Sequence, residues 1–117
     1  MASGIRCIST HVLDLALGKP ARAVAVRLEK QEVSSWRLMA SGHTDQDGRC
    51  NQLLPEVDTL APGSYRLVFD TANYFAGQKV DALYPVVEIT FSVKDGETRF
   101  HIPLLLSPNG YTTYRGS

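Results

Sequence analysis

The sequence is short of several things, and each shortage excludes a class of protein. Only two cysteines occur in 117 residues, Cys7 and Cys50. That is too few for the disulfide framework of a small secreted domain, and their separation lacks the paired spacing of a structural zinc site. Two reduced thiols are expected. No apolar run approaches the roughly 18–20 residues that cross a bilayer. Met1-Ala2-Ser3-Gly4-Ile5-Arg6-Cys7 has no basic stretch leading into an apolar one, so no signal peptide is seen and a cytoplasmic setting is expected. A peroxisomal one stays open for a eukaryotic source, although the ending Tyr114-Arg115-Gly116-Ser117 is not the Ser-Lys-Leu signal. Charge of one sign is also missing: twelve Lys and Arg balance twelve Asp and Glu, for a net charge of zero. Nucleic acid and anionic membranes need a patch of one sign, so neither is expected as a partner. Gly-rich phosphate loops, the nucleophile elbow and Cys-x-x-Cys are absent as well.

With 44% hydrophobic and 21% charged residues, the chain is composed like an ordinary globular protein, and residues 1–117 read as one domain able to bury its own core. Turn residues punctuate it densely. Asp47-Gly48, Asp95-Gly96 and Asn109-Gly110 have the form of hairpin dipeptides, and Gly18-Lys19-Pro20 and Ala61-Pro62-Gly63 add breaks. Between them apolar and polar residues alternate with period two, the mark of strands with one buried face. Val87, Ile89, Phe91 and Val93 oppose Glu88, Thr90 and Ser92. Val24, Val26 and Leu28 oppose Ala25, Arg27 and Glu29, while Tyr65, Leu67 and Phe69 oppose Ser64, Arg66 and Asp70. Further strands are predicted over 5–13, 36–44, 51–54, 97–106 and 111–114, about eight in all. One brief helix is predicted from Thr71 to Gly77, opened by a Thr or Asp cap. Eight short antiparallel strands at these spacings imply an all-β sandwich.

Alternation also locates the histidines. In Arg99-Phe100-His101-Ile102-Pro103-Leu104-Leu105-Leu106 the apolar row is Phe100, Ile102, Leu104 and Leu106, so His101 points away from the core with Arg99, Pro103 and Leu105. Leu105 on that face implies that something covers it. By the same parity His11 lies with Ser9 and Leu13, opposite Thr10 and Val12. His43 reads as an ordinary loop residue, and Arg49 directly follows a turn. The segment Asp45-Gln46-Asp47-Gly48 is like the middle of a calcium loop, but His43 and Leu54 would occupy its first and last ligand positions, so the match fails. No carboxylate or Cys stands at metal-ligand spacing from His11 or His101, and no metal is expected. Ser9 and His11, two apart on one strand, do not make a catalytic triad without a positioned third group.

Four stretches give these residues a common meaning: Ser9-Thr10-His11-Val12-Leu13-Asp14, Gly42-His43-Thr44-Asp45-Gln46-Asp47-Gly48-Arg49-Cys50, Phe100-His101-Ile102-Pro103-Leu104-Leu105-Leu106-Ser107-Pro108 and Tyr111-Thr112-Thr113-Tyr114-Arg115-Gly116-Ser117. They resemble the 5-hydroxyisourate hydrolases, the transthyretin-related enzymes of urate breakdown. The resemblance covers essentially the whole chain, and the terminal Tyr-Arg-Gly-Ser is its most specific element. It departs locally at Tyr74-Phe75, where many members of that family carry Tyr-Trp.

The resemblance implies a transthyretin-like sandwich of two four-stranded antiparallel sheets with one short helix. It further implies a homotetramer, a dimer of dimers, whose off-core sheet faces meet in a channel at the dimer–dimer interface. His11, Arg49 and His101 would be the catalytic residues, and Tyr114, Arg115, Gly116 and Ser117 would complete the substrate site. The implied reaction is hydrolytic opening of the cyclic amide of 5-hydroxyisourate, without cofactor or metal. Imidazoles suit the handling of water's proton near neutral pH, and a guanidinium suits the developing oxyanion. The chain alone leaves open which histidine is the base. A transthyretin-like carrier of an aromatic ligand would instead favour apolar or small channel residues. A purely structural sandwich would leave the polar tail and the off-core histidines without a use.

Overall fold

The structure, a computed structural model, describes residues 8–51, 53 and 60–116. In chain order the elements are β1 (Ile8–Asp14), β2 (Lys19–Pro20), β3 (Ala25–Gln31), β4 (Trp36–His43), β5 (Arg49–Cys50), β6 (Gly63–Phe69), α1 (Thr71–Ala76), β7 (Val87–Val93), β8 (Phe100–Ser107) and β9 (Gly110–Thr113). One sheet runs β2-β1-β8-β9, with β5 also pairing to β1. The other runs β4-β3-β6-β7. Two sheets and one short helix are the expected architecture, but the first sheet holds five strands rather than four, because the two-residue strands β2 and β5 both pair with β1.

Several local expectations change. The β1–β8 pairing is parallel, whereas the other ladders are antiparallel. These strands come from opposite ends of the sequence, so no tight turn has to join them and direction is free. The short strand expected over 51–54 falls at Arg49–Cys50 instead, because Asn51 is already past the ladder; Gln52 and Leu54 lie outside the described residues. The start of the strand expected from Ile5, and Cys7, lie outside them too. At the β8–β9 turn Ser107 pairs with Gly110, which leaves Pro108-Asn109 as the loop and makes Gly110 a strand residue. Lys19–Pro20 forms a strand where only a break was expected.

Alternation sets the core. Ile8, Thr10, Val12 and Asp14 of β1 are buried, as are Phe100, Ile102, Leu104 and Leu106 of β8. The apolar ones among them meet Val26, Leu28, Tyr65, Leu67, Phe69, Val87 and Val93 from the facing sheet in a single apolar cluster. Helix α1 is capped by Asp70, whose Oδ1 accepts from the Asn73 N–H at 3.2 Å, and it buries Phe75. The buried Asp14 carboxylate ties this helix to β1. It accepts from the Tyr74 hydroxyl at 2.6 Å, the Gln78 amide and the Leu17 N–H. The opposite face of β1 and β8 presents Ser9, His11, Leu13, His101 and Leu105, all half-buried in the single chain.

Candidate active site

Register on that outer face brings distant residues together. The parallel ladder places Ser9 beside His101 and His11 beside Pro103. On the other side of β1, the two-residue strand β5 places Arg49 directly across from His11. Residues 11, 49 and 101 thereby share one face of three adjacent strands, and directly opposed pairs in such a ladder stand about 5 Å apart at Cβ.

The turn that delivers Arg49 is tightly specified. The Asp45 carboxylate accepts from the backbone N–H groups of Asp47 (2.9 Å) and Arg49 (3.0 Å), an Asx-type closure. The Arg49 N–H, with lesser help from the Asp47 N–H and the charges of Arg49 and His11, holds the Asp45 carboxyl below the usual range. Gly48 takes φ +78°, and a Cβ there would lie 2.3 Å from the Val12 carbonyl oxygen. Only glycine lets the turn lie this close to β1, where the Val12 N–H donates to the Gly48 carbonyl at 2.7 Å.

Both imidazoles are held at one nitrogen. His11 Nε2 lies 2.8 Å from the Asp47 carbonyl oxygen. A carbonyl only accepts, so Nε2 donates and the neutral ring carries its lone pair on Nδ1. His101 Nδ1 lies 2.9 Å from Ser9 Oγ. Its ring is walled by the tail, since the Gly116 N–H donates to the His101 carbonyl at 2.7 Å and a Cβ on Gly116 would fall 2.7 Å from His101 Cδ2. Burial first, then the Arg49 charge and then His11, pull the His101 pKa below its usual value. The ring is therefore predominantly neutral at pH 7.

His101 opens onto a cleft of about 590 Å³ lined by Ser9, Asn51, Arg99, Phe100, Arg115 and Gly116. A smaller cleft of about 220 Å³ surrounds Arg49 and shares Asn51 with the first. Among the described residues no hydrogen bond or ion pair engages the Arg49 guanidinium. Arg115, in contrast, is engaged: it donates to the Arg99 carbonyl at 3.2 Å, contacts Glu97 at 3.5 Å and lies 4.5 Å over the Phe100 ring.

The sequence-predicted set is thus largely gathered. His11, Arg49, His101, Arg115 and Gly116 come to one region. Tyr114 does not line the His101 cleft within the single chain; it is exposed and lines an adjoining groove with Ile89 and Phe91, which shares Phe100 and Arg115 with that cleft. Ser117 lies outside the described residues. Sequence reasoning missed Ser9 as a partner of His101, which only the parallel register reveals. Asn51 and Arg99 were also missed as cleft residues, although parity already put Arg99 on the face of His101. His43, read as a loop residue, ends β4, is exposed and borders the Arg49 cleft. Among the described residues no three His, Cys, Asp or Glu side chains gather as a metal site needs. What does gather can move a proton and neutralise an oxyanion: two imidazoles with one nitrogen each uncommitted, and an unengaged guanidinium.

Comparison with known proteins identifies the family and the fold. The model of the HIUase/Transthyretin family matches residues 8–116. A 5-hydroxyisourate hydrolase of Salmonella typhi is 44% identical over 117 residues, covering all of this chain and 85% of the relative. A 5-hydroxyisourate hydrolase of Mus musculus is 42% identical, with both chains covered in full. Among solved structures, the Klebsiella pneumoniae 5-hydroxyisourate hydrolase superposes with a TM-score of 0.82 at 32% identity, covering 95% of this chain and 99% of that one. Transthyretin from Sparus aurata superposes with a TM-score of 0.87 at 31% identity, covering 95% and 97%.

Proposed function

This chain belongs to the HIUase/Transthyretin family and is an enzyme of its hydrolase group, and we propose that it opens the ring of 5-hydroxyisourate with His11, Arg49 and His101 as its catalytic residues. The observation that carries this reading is the convergence of those three side chains on one face outside the core. Fold similarity does not separate the two activities in the family, since a transthyretin superposes as well as a hydrolase does. The residues on this face do separate them: a carrier of an apolar ligand has no use for two half-buried imidazoles beside an unengaged guanidinium.

The chemistry follows from the groups present. Water adds to the ring carbonyl carbon while an imidazole takes its proton, and the carbonyl oxygen becomes an oxyanion. The Arg49 guanidinium stabilises that charge with a planar fork of donors. Collapse breaks the ring C–N bond, the nitrogen takes the proton back, and the product is the carboxylic acid 2-oxo-4-hydroxy-4-carboxy-5-ureidoimidazoline, which releases its own proton to solvent at neutral pH. His11 and His101 divide the proton handling, and Arg115 with Gly116 bounds the cleft on the tail side. Neither water attack nor proton transfer here calls for a cofactor or metal. The product places the enzyme in urate breakdown, towards allantoin, with the cytoplasm as the proposed setting.

Assembly completes the site in this proposal. Leu13 and Leu105 on the outer face, and Tyr114 in its adjoining groove, become covered when the chain forms a homotetramer, a dimer of dimers with the histidine faces meeting across the dimer–dimer interface. Tyr114 and Ser117 then act as substrate-site residues. Two measurements test the reading. Fresh 5-hydroxyisourate made from urate by uricase should lose its ultraviolet absorbance faster with this protein than in buffer, and equal rates would refute the hydrolase. Light scattering should give four times the 12.9 kDa chain mass; a stable monomer with full activity would refute the shared channel.

A further inference from the structure

Both site histidines have one ring nitrogen occupied, and the two occupants differ in what they permit. The Asp47 carbonyl forces the proton of neutral His11 onto Nε2, leaving Nδ1 as an acceptor. The Ser9 hydroxyl can either donate to or accept from His101 Nδ1. Ser9 Oγ has His101 as its hydrogen-bond partner among the described residues, and the two are register neighbours on paired strands, so the contact is built into the sheet. On the other side of the ring Gly116 lies against Cδ2. With Nδ1 and Cδ2 both covered, the Cε1–Nε2 edge is the part of the ring left to meet a ligand in the cleft. Amide hydrolysis needs one group that accepts water's proton and one that donates to the carbonyl oxygen. His11 already has the acceptor form.

We propose that Ser9 is a positioning residue that donates its hydroxyl proton to His101 Nδ1, fixing His101 as the Nε2–H tautomer that donates to the substrate's carbonyl oxygen, and leaving His11 Nδ1 as the general base. This rests on the hydrolase reading and assigns roles within it. Water's proton passes to His11 Nδ1 and from there to the leaving ring nitrogen. His101 keeps its proton throughout and contributes a hydrogen bond beside Arg49. The groups facing His101 fit a neutral donor. Arg49 on β5, Arg99 just ahead of β8 and Arg115 from the tail are cations, His11 is on β1, and the nearby acids Glu97 and Asp45 are taken up by Arg115 and by backbone N–H groups.

The test has one arm that needs no substrate. Imidazole 15N shifts of the intact protein at neutral pH should show His101 protonated at Nε2 and bare at Nδ1. Ser9→Ala should mix the tautomers and raise the His101 pKa, because the neutral form loses its donor. In turnover, Ser9→Ala should lower kcat roughly tenfold, a fraction of what an acid–base group supplies, with little change in KM, and its acid limb should move to higher pH. Ser9→Thr, which restores a hydroxyl, should recover most of the rate. A wild-type His101 protonated at Nδ1, or a Ser9→Ala protein with unchanged kcat and pH limb, overturns the proposal. If 5-hydroxyisourate proves not to be the substrate, the 15N result still stands or falls alone.

Discussion

The two faces of the β1–β8 ladder are built from the same two strands and obey opposite rules. Inward, Val12, Leu104 and Leu106 are essentially fully buried, and their identity is a matter of volume and apolarity. Outward, Ser9, His11 and His101 are half-buried, and each meets a specific polar partner. A parallel register makes both faces at once, because pairing Ile8 with Phe100 inside obliges Ser9 to meet His101 outside. On the proposed reading, function occupies the surface of the sheet that the core leaves unspecified. Substitutions should therefore separate cleanly, inward ones acting on stability and outward ones on turnover.

The largest effect expected on the outer face is that of Arg49→Ala, which would remove the proposed oxyanion donor and should lower kcat by about 10²–10³ with an unchanged melting temperature. A comparable loss in stability would break the contrast. Leu104→Ala, its inward counterpart, should cost about 2–5 kcal/mol in denaturant unfolding while kcat per folded molecule stays near wild type. Gly116→Ala places a methyl against His101 Cδ2 and should cost roughly 10–100-fold in kcat through displacement of the ring, with little loss of stability. Tyr74→Phe removes one donor from the buried Asp14 carboxylate and should cost about 1–3 kcal/mol of stability without touching kcat. That tyrosine also has its own pKa pushed up to about 12 by burial first and by Asp14 next, so it should not titrate in any working range. The mildest expectation concerns pH. On the proposed reading His101 works neutral and its pKa is lowered, so its own protonation should depress kcat/KM only as pH drops below the ordinary histidine range. An acid limb above that range would contradict the neutral role.

Much of this was legible in the sequence, for definite reasons. Period-two alternation reports which side of a strand is buried, and it put His11, His101 and Leu105 outside the core, as they are. The Asp70 cap and the glycine at the end of α1 bracketed the helix nearly to the residue. Strand direction and pairing were not legible, because alternation is the same for parallel and antiparallel neighbours; hence the β1–β8 direction and the Ser9–His101 contact had to await the fold. The two-residue strand β5 is too short to show any period, and its position depends on the Asp45 turn docking against β1. Tyr114 marks another boundary: the motif groups it with Arg115 and Gly116, yet within one chain it borders the His101 cleft from an adjoining groove that Arg115 also lines, a placement that sequence adjacency does not reveal.

The central claim is that the outer face of β1, β5 and β8 hydrolyses 5-hydroxyisourate. Its most direct test is stopped-flow ultraviolet decay of freshly generated substrate with wild type and His101→Asn at equal concentrations of folded protein. The account predicts rapid decay with wild type and a rate close to that of buffer with the variant. Equal rates for the two proteins would contradict it.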